Sequence, residues 1–342
     1  MSKYSIFNDP KAYRENTDVY YEIPVVTQPV FSVKENEYIE HTFVGRNELS
    51  VEDLGSRMDE TDMMIIEEIA RSKYLTSLQV YEFVSLRGGD VNRNFLRKRL
   101  NKLVRFRFVQ ENTIKMQGAI KGVRYYELDF KGYHCALSHG VQFNKGNAYF
   151  SFAMKIERNI EDTPMDVKRV LVGNQIILGL LMCRADIDRF GIMETFRIDT
   201  DLPEEDGRIF RTAATVRISR KSVLAYEVVR DSPEAYNKLV DKIDRYLKTR
   251  DSMAYIENNH HGDAACPQFI ICGESLEHNR KLSAYLKKEG FGNIDEDILY
   301  TDDLLAINEP LLSIYRLEEN GVISRYRLSE VECDRSDKRI SA

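Results

Sequence analysis

Tryptophan is absent from this 342-residue chain, and cysteine is sparse, with five at Cys135, Cys183, Cys266, Cys272 and Cys333. The count is odd and no CxxC spacing occurs, which argues for reduced thiols in a cytoplasmic protein rather than a disulfide framework. Without tryptophan, the core has to be built from Leu, Ile, Val, 16 Phe and 19 Tyr. No apolar run is long enough to span a bilayer. The strongest, VLVGNQIILGLLMC at Val170–Cys183, is interrupted by Asn174 and Gln175 and reads as a buried core helix. The opening residues MSKYSIFNDPKAYREN contain no apolar signal segment, so no secretory leader and no membrane partner is expected.

Chemistry-bearing motifs are also scarce. Neither GxxxxGK[ST] nor GxGxxG occurs, so no nucleotide cofactor is expected. Nothing resembles a nucleophile elbow, and Cys183 and Cys272 sit in apolar runs where cysteine is core material. ENNHHGDAAC holds His260, His261, Asp263 and Cys266, but adjacent histidines do not converge on one ion and no regular ligand pair accompanies them. That segment reads as an exposed polar loop, and no metal is expected. The acids of DEDILYTDD are spread across a turn and read as solvated surface.

What the chain does have is one concentrated patch of positive charge. The formal net charge is -6, yet RNFLRKRLNKLVRFRFVQ, Arg93–Gln110, carries seven Lys/Arg and no Asp or Glu. Its surroundings show what it belongs to. Residues 1–57 are polar and irregular and read as an N-terminal arm or appendage. A regular pattern begins at Thr61, which can cap a first helix over TDMMIIEEIARSK. Thr76 and Gln79 form a capping box for a second helix from about Ser77, with Leu78, Tyr81, Phe83 and Val84 on its apolar side. RGGD breaks the chain, and a third helix is predicted from about Val91 to Arg105 with Asp90 as N-cap. FRFVQENTIKM and GVRYYELDF alternate as two strands joined by MQGAIKG, and DFKGYHCALSHG reads as a closing short helix.

Three helices followed by a two-stranded ribbon is the order of a winged helix-turn-helix, placed here at residues 58–145. At about 100° per residue, Phe95, Leu96, Leu100, Leu103 and Val104 cover one half of the third helix. Asn94, Arg97, Lys98, Asn101, Lys102 and Arg105 cover the other. With no carboxylate in reach, that face cannot neutralise itself through i,i+4 pairs. Arg97 and Lys98 can reach guanine N7 and O6, and Asn94 or Asn101 can bracket adenine. A recognition helix reads bases mainly from its N-terminal half, which assigns these four to bases and Lys102 and Arg105 to phosphates. Lys115, Lys121 and Arg124 on the ribbon are expected to contact the backbone. Double-stranded DNA is therefore the expected partner.

From about residue 146 to 335 the pattern is a second αβ domain. MDVKRVLVGNQIILGLLMCRADIDRF reads as a long buried helix. METFRID, RIFRTAATVRIS and KSVLAYEVVRD read as three strands, the last two around a tight Arg220–Lys221 turn. SPEAYNKLVDKIDRYLKT is an amphipathic helix with Ala235, Leu239, Ile243, Tyr246 and Leu247 on one side. PQFIICG is a continuous apolar strand, as a central sheet position requires. ESLEHNRKLSAYLKKEG is a helix, ended by Gly290. DILYTDD, LLSIYRLEE and ISRYRLSEV finish as strands, the last two joined at Asn320–Gly321.

Helix, three strands, helix, strand resembles the core of the PD-(D/E)xK nuclease superfamily, a restriction-endonuclease-like αβ fold. That resemblance implies an Asp on the second core strand and a Glu-x-Lys on the third, holding Mg²⁺ against a scissile phosphate. Here Glu227 matches the Glu, Val229 stands at the Lys position, and Ala213–Ala214–Thr215 stands where Pro–Asp is expected. The domain is therefore expected to be non-catalytic. Taken together, the two halves resemble the bacterial replication-relaxation family of plasmids and conjugative elements. The residues that carry this are YLTSLQVYEFV, the basic helix, RYYELDFKGYHCAL and LAYEVVRDSPEAYNKLVDKIDRYL, a strand–Glu–turn–helix ending in Lys-x-x-x-Tyr. The resemblance implies a replication or transfer accessory or regulatory factor, whose second domain mediates homodimerisation or docks another replication or transfer protein. Two other readings stay open. One is a metal-dependent nuclease using Glu227 with acids from Asp199, Asp201, Glu204, Glu205 and Asp206. The other is an interaction module whose basic helix meets an acidic protein.

Overall fold

The computed structural model describes residues 31–42, 58–88, 91–141, 152–157, 159–183, 185–198, 208–219, 222–250, 255–257, 267–318 and 322–328. Most of the N-terminal arm, Asp90, the acidic segment Asp199–Asp206, the Arg220–Lys221 and Asn320–Gly321 turns, and the segment with His260, His261, Asp263 and Cys266 lie outside the described residues.

The first half runs β1 (Glu37–His41), α1 (Glu60–Ser72), α2 (Ser77–Leu86), α3 (Arg93–Arg105), β2 (Val109–Met116), β3 (Val123–Leu128) and α4 (Phe130–Ser138). The capping box of α2 forms as expected: Gln79 N–H donates to Thr76 Oγ1 at 3.2 Å and Thr76 N–H donates to Gln79 Oε1 at 3.1 Å. The other two caps differ from expectation. Asp59, not Thr61, caps α1 in a reciprocal pair with Asp62. Asn92 rather than Asp90 caps α3, its Oδ1 accepting from Phe95 N–H at 2.9 Å. A cap has to sit where its side chain turns back onto the helix's third N–H, and these two residues do. In α2 it is Val80, not Leu78, that faces the core; Leu78 is exposed.

β2 and β3 form the expected antiparallel hairpin. Two additions enlarge it. β1 pairs antiparallel along the outer edge of β2, from Glu37↔Met116 to His41↔Asn112. Leu75, between α1 and α2, bridges Tyr126 of β3. Part of the arm is thus a strand, too short and too polar to show an alternation of its own.

The second half runs α5 (Phe152–Glu157), α6 (Pro164–Met182), β4 (Arg189–Ile192), β5 (Thr195–Ile198), β6 (Arg208–Arg211), β7 (Ala214–Ser219), β8 (Ser222–Val228), α7 (Pro233–Thr249), β9 (Tyr255–Glu257), β10 (Gln268–Gly273), α8 (Leu276–Lys288), α9 (Ile294–Asp297), β11 (Leu299–Asp302), α10 (Asp303–Asn308), a 3₁₀ turn at Pro310–Leu312, β12 (Ile314–Leu317) and β13 (Ile323–Tyr326). The architecture is mixed α+β around a seven-stranded mixed sheet of order β13-β12-β11-β10-β8-β7-β4. PQFIICG is its central strand, parallel to both β8 and β11. Alternate residues face opposite cores: Ile270 and Cys272 join the cluster around α6, Phe269 and Ile271 the cluster under α7 and α8.

The three strands expected before α7 are arranged differently. RIFRTAATVRIS is two strands, β6 and β7, in separate sheets. METFRID supplies β5, which pairs with β6 and β9 in a small side sheet. The outer strand of the main sheet is β4, from the stretch read as the tail of the long helix. The chain changes sheets at Thr212–Ala213, where Thr212 N–H donates to Glu194 O and Ala213 N–H donates to Tyr226 O. An unbroken apolar stretch conceals such a switch, because both sheets bury it.

α6 is buried nearly all round, between α2 and the main sheet, and one apolar cluster runs from α1, α2 and α3 through α6 into β4, β7, β8 and β10. Gly173 lets the helix approach: a Cβ there would lie 3.0 Å from Ala213 O. Polar pins fix the junction. Asn174 Nδ2 donates to Ser72 O at 3.0 Å and Tyr74 O at 2.9 Å, and Gln79 Nε2 donates to Leu171 O at 2.8 Å. Buried Lys168 donates to Ser32 O and to both Glu37 oxygens, each at 2.6 Å, and so ties the chain ahead of β1 onto α6. No helix among the described residues is long and apolar enough to cross a membrane.

Asn174→Ala removes both pins to the α1–α2 connection and is expected to cost about 1–3 kcal/mol, read from urea denaturation. Because the core is shared, circular dichroism and tyrosine fluorescence should report one coincident transition. Two separated transitions would mean that the halves fold independently.

Candidate nucleic-acid interface

α3 buries Leu96, Leu100 and Leu103 and half-buries Phe95 and Val104, as its periodicity requires. Asn94, Arg97, Lys98, Asn101 and Arg105 are exposed on the other half. The structure sorts the cations of this region into two groups. Lys102 donates to Asp62, a fully buried carboxylate of α1, at 2.6 Å. Arg99 reaches Asp59 and Asp62 and lies over the Phe95 ring at 4.6 Å. Arg107 donates to Asp129 at 3.0 Å. These three fasten α3 to its neighbours. Arg97, Lys98 and Arg105 have no ion-pair partner among the described residues, so their charge faces solvent unneutralised. Lys102, expected in the phosphate-facing set, instead flanks the helix and serves α1.

The hairpin repeats this division. Lys115 pairs with Glu40, which β1 brings alongside β2. Arg124 stands 3.4 Å from Glu111 and remains largely exposed. Lys121 is exposed and has no ion-pair partner among the described residues. From 91 to 126 the chain carries ten Lys/Arg against a single carboxylate, Glu111. Glu111 itself accepts from Tyr126 Oη at 3.1 Å. Nothing in α3 or the hairpin can offset the exposed cations.

Glu82 on α2 lies under the N-terminal end of α3, and one of its carboxylate oxygens is buried with no hydrogen-bond partner among the described residues. Burial pushes its pKa up to about 7, with the Arg93 guanidinium pulling the other way. Arg93 lies over the Tyr81 ring at 5.5 Å.

Glu227, the candidate nuclease carboxylate, is buried at the end of β8 and held by two cations: Arg169 donates to Oε2 at 2.7 Å and Lys242 to Oε1 at 2.6 Å. Burial, with Arg169 adding to it, lowers Lys242 to about 8 against the pull of Glu227. Val229 is packed in the apolar cluster under α7, Ala213 and Ala214 are fully buried, and Thr215 meets Thr212 at 3.3 Å. The described residues contain no group of three or more His, Cys, Asp or Glu able to hold a metal ion. Both partners of Glu227 were missed in the sequence. Lys242 did carry a signal, as the Lys of the Lys-x-x-x-Tyr motif on α7. Arg169 carried none, because its neighbours on α6 are apolar.

Comparison with protein-family models, with curated proteins and with solved structures gives no match.

A buried acid whose folded pKa is raised contributes stability in full below its unfolded value, and that contribution is lost as pH rises through the folded value. Glu82→Gln should therefore leave the urea midpoint unchanged at pH 4. At pH 8.5 it should stabilise the protein by about 1–3 kcal/mol, the order of a two-unit shift. Equal midpoints at both pH values would place the Glu82 carboxylate in water.

Proposed function

We propose that this protein binds duplex DNA through α3. The observation that carries the reading is the exposed row Asn94, Arg97, Lys98, Asn101 and Arg105, whose three cations have no ion-pair partner among the described residues. A duplex presents dense phosphate charge, and each cation laid against a phosphate releases a counterion. Asn94, Arg97, Lys98 and Asn101 occupy the base-reading half of the helix, with Arg105 toward phosphate. Lys121 and Arg124 extend the contact from the hairpin. Lys102 and Lys115 take a lesser part, since each is already paired.

The helix–helix–helix–hairpin order, with the Leu75↔Tyr126 bridge between the first two helices and the last strand, supports a winged helix-turn-helix. The run α6, β4, β7, β8, α7, β10, with β8 parallel to β10, supports a nuclease-like second fold without its metal ligands. On this reading the protein is an accessory or regulatory factor of plasmid replication or transfer, and its second half docks another copy or another protein of that machinery. The metal-nuclease alternative gains nothing from Glu227, whose two oxygens are taken by Arg169 and Lys242.

Fluorescence anisotropy of a labelled duplex against salt tests the binding. The native protein should weaken steeply with salt, and Arg97→Ala/Lys98→Ala/Arg105→Ala should flatten the log–log slope by about 2–3, near 0.9 per lost phosphate contact. Equal slopes, or no binding by either protein, would assign the face to an acidic protein partner. Sedimentation at micromolar concentration, with and without the duplex, should give a dimer in at least one condition; a monomer in both removes the homodimer.

A further inference from the structure

We propose that the β2–β3 hairpin tip is an apolar wedge for the DNA minor groove, with Ile120 as the inserted side chain. This rests on the reading of α3 as DNA-facing. Ile120 is 93% exposed, while Val322, the next most exposed large apolar residue described, is 58% exposed. It is not at the end of a loose loop. Ala119 N–H donates to Met116 O at 3.0 Å, and Gln117 N–H donates to Asn36 O at 3.2 Å, so the strap ahead of β1 backs the tip. Gly118 makes the turn at φ +79°, a conformation that side chains other than glycine's resist. Gly122 crosses so close to β2 that a Cβ would lie 2.1 Å from Ile114 O. The result is a braced turn that holds one branched apolar side chain in water.

The surroundings select the occupant. Residues 112–126 contain no carboxylate, and Lys121 follows Ile120 directly. An apolar protein groove has no use for cations around the inserted residue, whereas a minor groove lined by phosphates does. Branched apolar side chains enter minor grooves by parting a base step, most easily a flexible pyrimidine–purine step, and the duplex kinks away from them.

The test uses 30-bp duplexes with 2-aminopurine at central TA steps and a fluorophore pair on the ends. The full chain should raise the 2-aminopurine signal, through unstacking, and shorten the end-to-end distance. Ile120→Ser, at a site with no packing to lose, should keep the native melting temperature and the native salt slope. It should bind about tenfold more weakly, as expected for one buried branched side chain, and lose both signals, while Ile120→Leu should retain them. If the native protein binds with a steep salt slope but neither unstacks nor bends the duplex, or if Ile120→Ser matches it throughout, the wedge is wrong and the α3 reading stands. If the native protein does not bind the duplex, both fall.

Discussion

The structure depends on the burial of α6. A helix apolar on every side has to be enclosed, and here α2 closes it on one flank and the main sheet on the other. Such an interface is strong but indifferent to register. Asn174 and Gln79 supply the register: each carries an amide into the apolar junction and finds backbone carbonyls on the opposite side. A buried amide that misses its carbonyl costs more than a good contact returns, so these few bonds decide how the halves meet. Lys168, with three acceptors on the chain leading into β1, does the same for the strap that stiffens the hairpin.

The cationic surface is shaped by subtraction. The run Arg93–Gln110 looks uniformly basic, yet Asp59, Asp62 and Asp129 draw Arg99, Lys102 and Arg107 back onto the fold. The remaining exposed charge is a narrow row along one side of α3. This narrowing sharpens the row without weakening it, because charges turned outward cannot be satisfied within α3 or its hairpin.

Much of this was legible from local pattern. The Thr76–Gln79 box, the two faces of α3, the hairpin and the all-apolar PQFIICG strand each follow from spacing within a dozen residues, where period and chemistry speak together. What was hidden depends on contacts made across long stretches of chain. Asp62 and Lys102 are forty residues apart in sequence, and no helical period links them. Glu40 reaches Lys115 only because β1 pairs with β2. The change of sheet at Thr212 lies inside a stretch that is apolar on both sides of the switch. Glu227 kept its place on the third strand of the run, but the two cations that hold it come from α6 and α7, and only Lys242 left a mark in the sequence.

The continuous core also has a mechanical meaning. Protein interiors are packed at crystal-like density and pass displacement on rather than absorb it. From the exposed row of α3 the path runs through Leu100 and Leu103 to α1 and α2, across Gln79 and Asn174 into α6, and at Gly173 onto the backbone of the main sheet. The chain is therefore a lever rather than two beads on a string. Whatever docks on the seven-stranded sheet tilts the face that α3 presents, and whatever grips that face is felt at the sheet.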